Sequence, residues 1–451
     1  MSVISRRDAL RAGVIGGVPV AASALAQPQA SAKISAKATA ESTTTVFDVT
    51  AYGAVGDGST DDTTSIQDAL TAAGAVPGSV VSFPPAPGGC YRVSGLTVPG
   101  GVGHLVGEST LYCANGPEVV SLTGSVLAPL KSSVTSLLTI GASGAGVIVA
   151  GNPHGLTVDG LGFLGTAPSG VTIPEFWAVT VTDTSDVTFH ACRDLYCGAF
   201  NYGEYPTGGD GSGGFVRFLS SGTGNAFAEN GRVLFCSSFG AGTFVLADGL
   251  SSAYPGGGST DGRVVSCQVN GHGYGVVLGL HNAGAGGWAI EECHFSSSPG
   301  VNHVVYGIAG NAWTLRLMGC YLDVCSDTHI DCHGRGLQAV GNYFRAQSNA
   351  TAVRFGSGLS VSGRDPAALL MGNTFDLNGS TSTADFARFN GFTAAKFATD
   401  GGGEFRGNLV HNHGAAMPSS WIGVLTGSDG VAIASPTSAT LDLVQGPVLS
   451  A

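Results

Sequence analysis

The sequence predicts an all-β chain, one long stack of coiled strands behind an N-terminal capping helix. Three observations carry that expectation. The 451 residues include 72 glycines, 43% are hydrophobic and only 11% are charged. With no collagen-like period of three, that composition suits many short strands joined by turns rather than disorder. A cysteine-or-asparagine position recurs through the second half of the chain. The stretch from Val46 to Ala73 reads as strand, tight turn and short helix.

Taken in order, residues 1–26 fall outside the fold. Ser5, Arg6 and Arg7 open a twin-arginine motif, an apolar run follows from Ala12 to Leu25, and Ala24-Leu25-Ala26 fits a small-residue cleavage site. Export by the twin-arginine route is therefore expected, and the mature protein is expected to be secreted. The apolar run is too short for a stable membrane span, and no later run reaches the required length. Residues 27–45, rich in Ala, Ser, Thr and Lys, are expected to form a flexible linker. The coil stack is expected over 46–430, with a C-terminal tail over 431–451.

The formal charge is −12, and cleavage after Ala26 would remove three arginines for one aspartate and leave the chain more acidic still. No basic stripe exists to release counterions, which argues against a nucleic-acid partner. A polyanion would need a metal or a local arginine cluster to be held.

In VFDVTAYGAVGDGSTDDTTSIQDALTAA, Gly53, Gly56 and Gly58 supply turn conformations that side chains resist. Thr60, Asp61 and Asp62 suit a helix start. Ile66, Ala69, Leu70 and Ala73 then fall at i, i+3, i+4 and i+7, an apolar stripe on one face.

YGAVGDGSTDDTTSIQDAL resembles the N-terminal signature of the rhamnogalacturonase/epimerase-like pectate lyase group, within the pectin-lyase-like superfamily. The following VVSFPPAPGGCYRVSGLTVPGGVGHLVGEST, Val80 to Thr110, is similar to that group's next coil. The resemblance implies a single right-handed parallel β-helix and a polysaccharide substrate. It covers about a seventh of the chain, and the aspartates of the signature are expected to be structural.

Cys192, Cys236, Cys267, Cys293 and Cys320 sit in similar local text, and Asn342, Asn373 and Asn408 continue the series at intervals of 22 to 44 residues. Irregular spacing around a common coil is what a β-helix gives when its turns carry insertions. These cysteines are expected to stay reduced inside the turn. Cys90 and Cys113 stand outside the series and are expected to form a disulfide. The largest insertion, from Asn201 to Gly214, carries Tyr202 and Tyr205, rings suited to stacking on sugar faces.

The densest polar cluster is Thr328-His329-Ile330-Asp331-Cys332-His333-Gly334-Arg335. On a strand, Ile330 and Cys332 would face the core, with His329, Asp331 and His333 on the outer face. Such a comb suits acid–base chemistry on a bound sugar, or a divalent ion. Arg335 closes the cluster as a substrate-binding candidate, and His303, Arg354 and Asp323 or Asp327 are expected from neighbouring coils. A second candidate, NGHGYG at Asn270 to Gly275, resembles the glycine-histidine-glycine coil of family-28 polygalacturonases. That resemblance implies a substrate-contacting role for His272. The paired aspartates of that family are missing, since Gly242 and Thr243 stand near their place and Asp248 is the nearest carboxylate.

The catalytic set expected from sequence is thus Asp331, His329, His333 and Asp248. Glycoside hydrolysis is the leading expectation, with no cofactor. Lyase chemistry by β-elimination, which brings calcium with it, and a non-catalytic carbohydrate-binding β-helix are the alternatives, as is a trimer of the tailspike kind.

Overall fold

We describe the fold from a computed structural model. It covers residues 44–113, 120–141, 154–165, 176–195, 213–220, 228–240, 242–249, 258–280, 285–296, 302–307, 312–325, 327–345, 351–356, 368–376, 386–389, 403–411, 425–427, 432–434 and 440–445. The segments read as signal peptide and linker, and Tyr202 and Tyr205 of the large insertion, lie outside the described residues, Thr44 and Thr45 apart.

The opening stretch folds as its pattern predicts. Val46–Asp48 is a strand, and the helix α1 spans Thr63–Gly74 with Ile66, Ala69, Leu70 and Ala73 all fully buried. Gly53, Gly56 and Gly58 all have positive φ. The aspartates between them tie the loop together. Asp57 accepts from the backbone and hydroxyls of Ser59 and Thr60, which hold its carboxyl well below the usual range. Asp62 occupies the N-cap position but makes no cap bond. Its carboxylate turns back to accept from the Val55 and Gly56 N–H groups at 2.7 and 3.1 Å. The helix start expected from Asp62 therefore serves the glycine turn instead.

Behind α1, each full coil contributes three strands to three parallel ladders. In one coil these are Arg263–Val265, Gln268–Asn270 and Tyr274–Leu278. The first two ladders merge into a 23-stranded sheet, and the third forms a 12-stranded sheet. Pairing is parallel from coil to coil, residue on residue at roughly 4.8 Å. The parallel order breaks at Ser109–Cys113 against Val120–Gly124, and at the C-terminal end. There Ala432–Ala434 and Thr440–Gln445, within the segment read as a tail, pair antiparallel with the last strands of the two sheets.

The interior is a stack of like on like. Phe215 lies over Phe244 with ring centroids 5.5 Å apart, and Phe189 and Phe163 pack on the same file. The cysteine-to-asparagine series lines the tight turn between the first two ladders. The residue before each member is left-handed: Ala191, Phe235, Ser266 and Glu292, then Gly319, Gly341, Gly372 and Gly407. Such a conformation costs a non-glycine residue about 1–2 kcal/mol. Here the strained N–H bonds the next coil, as Ala191 does to the Leu234 carbonyl at 3.0 Å.

The series has one chemical function. Asn342, Asn373 and Asn408 each donate Nδ2 to a carbonyl of the coil before, on Leu317, Ala339 and Leu370. Cys192, Cys267 and Cys293 aim Sγ at the equivalent carbonyls of Val158, Val233 and Val264, 3.4 to 3.5 Å away. A thiol thus replaces an amide as donor, which requires it reduced, and these cysteines are free. Cys90 is also a free, buried thiol, packed against Val126 and Ala128. The expected Cys90–Cys113 bridge is therefore not made; Cys113 ends the hairpin strand opposite Val120.

Candidate active site

The outer face of the third ladder carries the cluster. Register places one file of residues along it: Thr180, Arg217, Leu246, Val277, Val305, Asp331, Arg354 and Arg388. Leu246, Val277 and Val305 form a buried apolar strip with Trp177 and Tyr274. Beyond that strip the file turns polar.

Asp331 is fully buried, and Arg354 from the next coil grips it with both arms of the guanidinium. Nε lies 3.0 Å from Oδ1 and Nη2 2.8 Å from Oδ2. The remaining arm, Nη1, binds the Asp327 carboxylate at 2.9 Å. His333 Nε2 stands 3.1 Å from Asp331 Oδ1, an electrostatic contact without the alignment of a hydrogen bond. Burial works to raise the Asp331 pKa, but His333 and Arg354 together outweigh it and hold the carboxyl well below the usual range. Asp331 is therefore a fixed anion at the floor of the site. Asp327 and His333, with 42% and 25% of their side chains exposed, are the groups a ligand meets. The His333 ring lies over Gly356, where a Cβ would stand 2.0 Å from Nδ1.

The structure corrects several sequence expectations. His329 is not on the outer face. It stacks on His303 at 5.1 Å and meets Phe344 edge-on, inside the coil. The strict alternation of a strand fails at this corner of every coil, where two consecutive residues both enter the core. Phe215 and Val216, Phe244 and Val245, and Ala352 and Val353 repeat the pattern that puts both His329 and Ile330 inside. His303, on the same interior file, and His272, which precedes the strand of the coil before and packs its ring on His303, were expected to touch substrate and are fully buried.

Asp248 shares the outer face but lies three coils from Asp331, roughly 14 Å at ~4.8 Å per coil, so the two carboxylates do not meet. Arg335 begins a strand of the first ladder beyond Gly334, exposed and paired with Trp313, and takes no part in the cluster. The expected pair of Asp331 and His333 does come together, with Arg354 and Asp327 from the neighbouring positions. Arg388, one coil beyond Arg354 and exposed, was not anticipated. Its signal was its place in the next coil, legible only once register is known.

A separate concavity of about 740 Å³ lies on the outer face of the first ladder. Arg232, Arg263 and Arg316 line it with Asp261 and Glu291, a local cationic row in an acidic chain. It holds none of the Asp331 cluster.

Residues 46–116 match the family model described as rhamnogalacturonase A/epimerase, pectate lyase-like. Among solved structures, the A-module of the mannuronan C-5 epimerase AlgE6 of Azotobacter vinelandii superposes with a TM-score of 0.54 at 13% identity, covering 85% of this chain and 91% of that one. The fold is a pectin-lyase-like right-handed parallel β-helix. The β-helix also matches DFA-IIIase from Arthrobacter chlorophenolicus A6, with a TM-score of 0.51 at 12% identity over 86% of this chain and 92% of that one. ORF18 of Geobacillus virus E2 gives 0.52 at 15% identity; 82% of the β-helix chain aligns, spanning 62% of the viral chain. No curated protein matches the chain in sequence. Among the described residues, no helix is long and apolar enough to cross a membrane.

Proposed function

We propose that this β-helix is an exported enzyme that cleaves an anionic, pectin-like polysaccharide by glycoside hydrolysis on the outer face of its third ladder. The observation that carries the reading is the joining of two carboxylates, Asp327 and Asp331, by the single guanidinium of Arg354 beneath His333.

The two acids have different work. Asp331 is sealed and ion-paired, so it positions Arg354 and His333 rather than touching the sugar. Asp327 reaches solvent and is the carboxylate for the anomeric centre or for its attacking water. His333, held against the Asp331 carboxylate, supplies the proton for the leaving oxygen. Arg354 has both faces of its fork occupied and has no arm to spare for a uronate. Arg388, one coil beyond Arg354, offers an exposed cation for a substrate carboxylate.

Arg388 also gives the second reading its support. With the uronate neutralised there, His333 could take the proton α to it and start β-elimination. In either reading, Asp327→Asn and His333→Ala are expected to lower kcat about 10²–10⁴-fold on a responsive polysaccharide. Retention of full kcat by both variants on the same substrate would remove the cluster as the site.

Gly356→Ala tests the placement of His333 separately. The new methyl must displace the ring, which is partly exposed. We expect kcat to fall about 10²-fold from misplacement of an acid–base group, while the melting temperature stays near that of the wild type. An unchanged kcat would show that the present pose of His333 is not used.

A further inference from the structure

The interior histidine file ends in a donor set that the proposed reaction does not use. His303, His329 and Cys325 each place one ligand atom within 4.8 Å of the others, and all three residues are buried. His303 stands on the strand Asn302–Tyr306 and His329 on the strand of the next coil, Thr328–Cys332. Cys325 lies in the turn that leads into the latter and falls outside the ladder series.

Two features of this pocket are costly unless a ligand fills it. Neither ring nitrogen of His329 has a hydrogen-bond partner, although the residue is fully buried. The Arg345 backbone approaches the ring without reaching hydrogen-bond geometry. An unsatisfied buried polar group of this kind is destabilising. His272, next in the file, leaves Nδ1 unpartnered as well. His303 already has one nitrogen against the Asp323 carbonyl, the contact that commonly orients a metal-bound imidazole.

We propose that His303, His329 and Cys325 form an interior site for a borderline-soft divalent cation of the zinc class. Two imidazoles and a thiolate are the donor set that zinc favours, and the hard cations calcium and magnesium are poorly served by it. Tetrahedral zinc, with bonds of about 2.0–2.3 Å, needs its ligands roughly 3.5 Å apart. The cluster would therefore close by about 1 Å on binding. His303 gives up its hydrogen bond from His272, which stands at 3.1 Å and is next in line as the fourth donor. The Cys325 thiol transfers its proton to solvent as the Zn–S bond forms. The ion would staple two successive coils and fix the turn that carries Asp327.

The test uses the full chain, expressed with zinc present, purified under a thiol reductant and analysed for bound metal. Stoichiometric zinc is expected. Exchange to Co²⁺ should give a thiolate-to-cobalt charge-transfer band in the near ultraviolet and the visible bands of tetrahedral cobalt. Cys325→Ser should abolish the charge-transfer band, whereas Cys267→Ser, at a ladder thiol, should keep it. Should Cys325→Ser fail to fold, the wild type answers alone: chelation should lower its melting temperature, and Zn²⁺ should restore it. Trace metal with no response of the melting temperature to Zn²⁺ overturns the site, as does a cobalt band that survives Cys325→Ser.

Discussion

Arg354→Ala is expected to destabilise the fold by about 3–5 kcal/mol, the usual cost of leaving one member of a buried ion pair behind. Asp331 is fully buried, and Arg354 supplies two of its short contacts. Removal of the guanidinium takes away both of these contacts at once. The pH dependence has a definite sign. In the wild type the folded pKa of Asp331 is depressed, so its contribution is present above the unfolded value of about 3.9 and is lost as pH falls toward the folded one. Without Arg354, one of the two groups that offset burial is gone and the folded pKa rises. The variant then suffers most near neutrality, and its deficit shrinks below about pH 4. Denaturant unfolding of both proteins across that range checks the claim, and a deficit independent of pH would contradict it. Replacing both partners together, as Arg354→Met with Asp331→Leu, should recover most of the loss.

The second large effect has the opposite sign. Asp194 sits in the interior file of the second ladder, where Phe163 precedes it and Ser238 then Val269 follow. Burial pushes its pKa up to about 7, and only Ser238 relieves it, donating to Oδ2 at 2.8 Å while Oδ1 has no partner. A raised folded pKa means that the favourable, protonated state is fully available below about pH 3.9 and is lost as pH rises through about 7. Over about 3 pH units at 1.36 kcal/mol each, the loss approaches 4 kcal/mol. Asp194→Asn keeps the shape and cannot ionise. The variant should therefore unfold at higher denaturant than the wild type above pH 7 and differ little from it near pH 4. Parallel pH profiles for the two proteins would refute this.

What the sequence revealed, and what it hid, follows from where periodicity holds. The α1 stripe was legible because i, i+3, i+4 and i+7 spacing is set by one local helix. The cysteine-to-asparagine ladder was legible because each coil repeats a single donor in a single turn. Asp331 and His333 share a face as alternation requires. His329 breaks the rule because the strand starts at a corner where two successive residues turn inward, and no local pattern marks that corner. The Asp327–Arg354–Asp331 clamp and the wide separation of Asp248 from Asp331 depend on register between coils, and insertions of unequal length conceal that register in a linear reading. Asp194 was overlooked because a polar residue on a short strand reads as outward-facing. Cys325 carried a faint signal, a cysteine out of step with its series.

The central claim is that the Asp331 cluster hydrolyses a glycosidic bond. The most direct measurement is the product formed by the wild type on a panel of uronate-containing and neutral polysaccharides, with reducing ends and ultraviolet absorbance followed together. Hydrolysis predicts new reducing ends without absorbance from unsaturated uronate, a yield unchanged by removal of calcium, and loss of those reducing ends when His333 is alanine. Unsaturated product would contradict hydrolysis and establish elimination, and reducing ends that persist in His333→Ala would contradict the site.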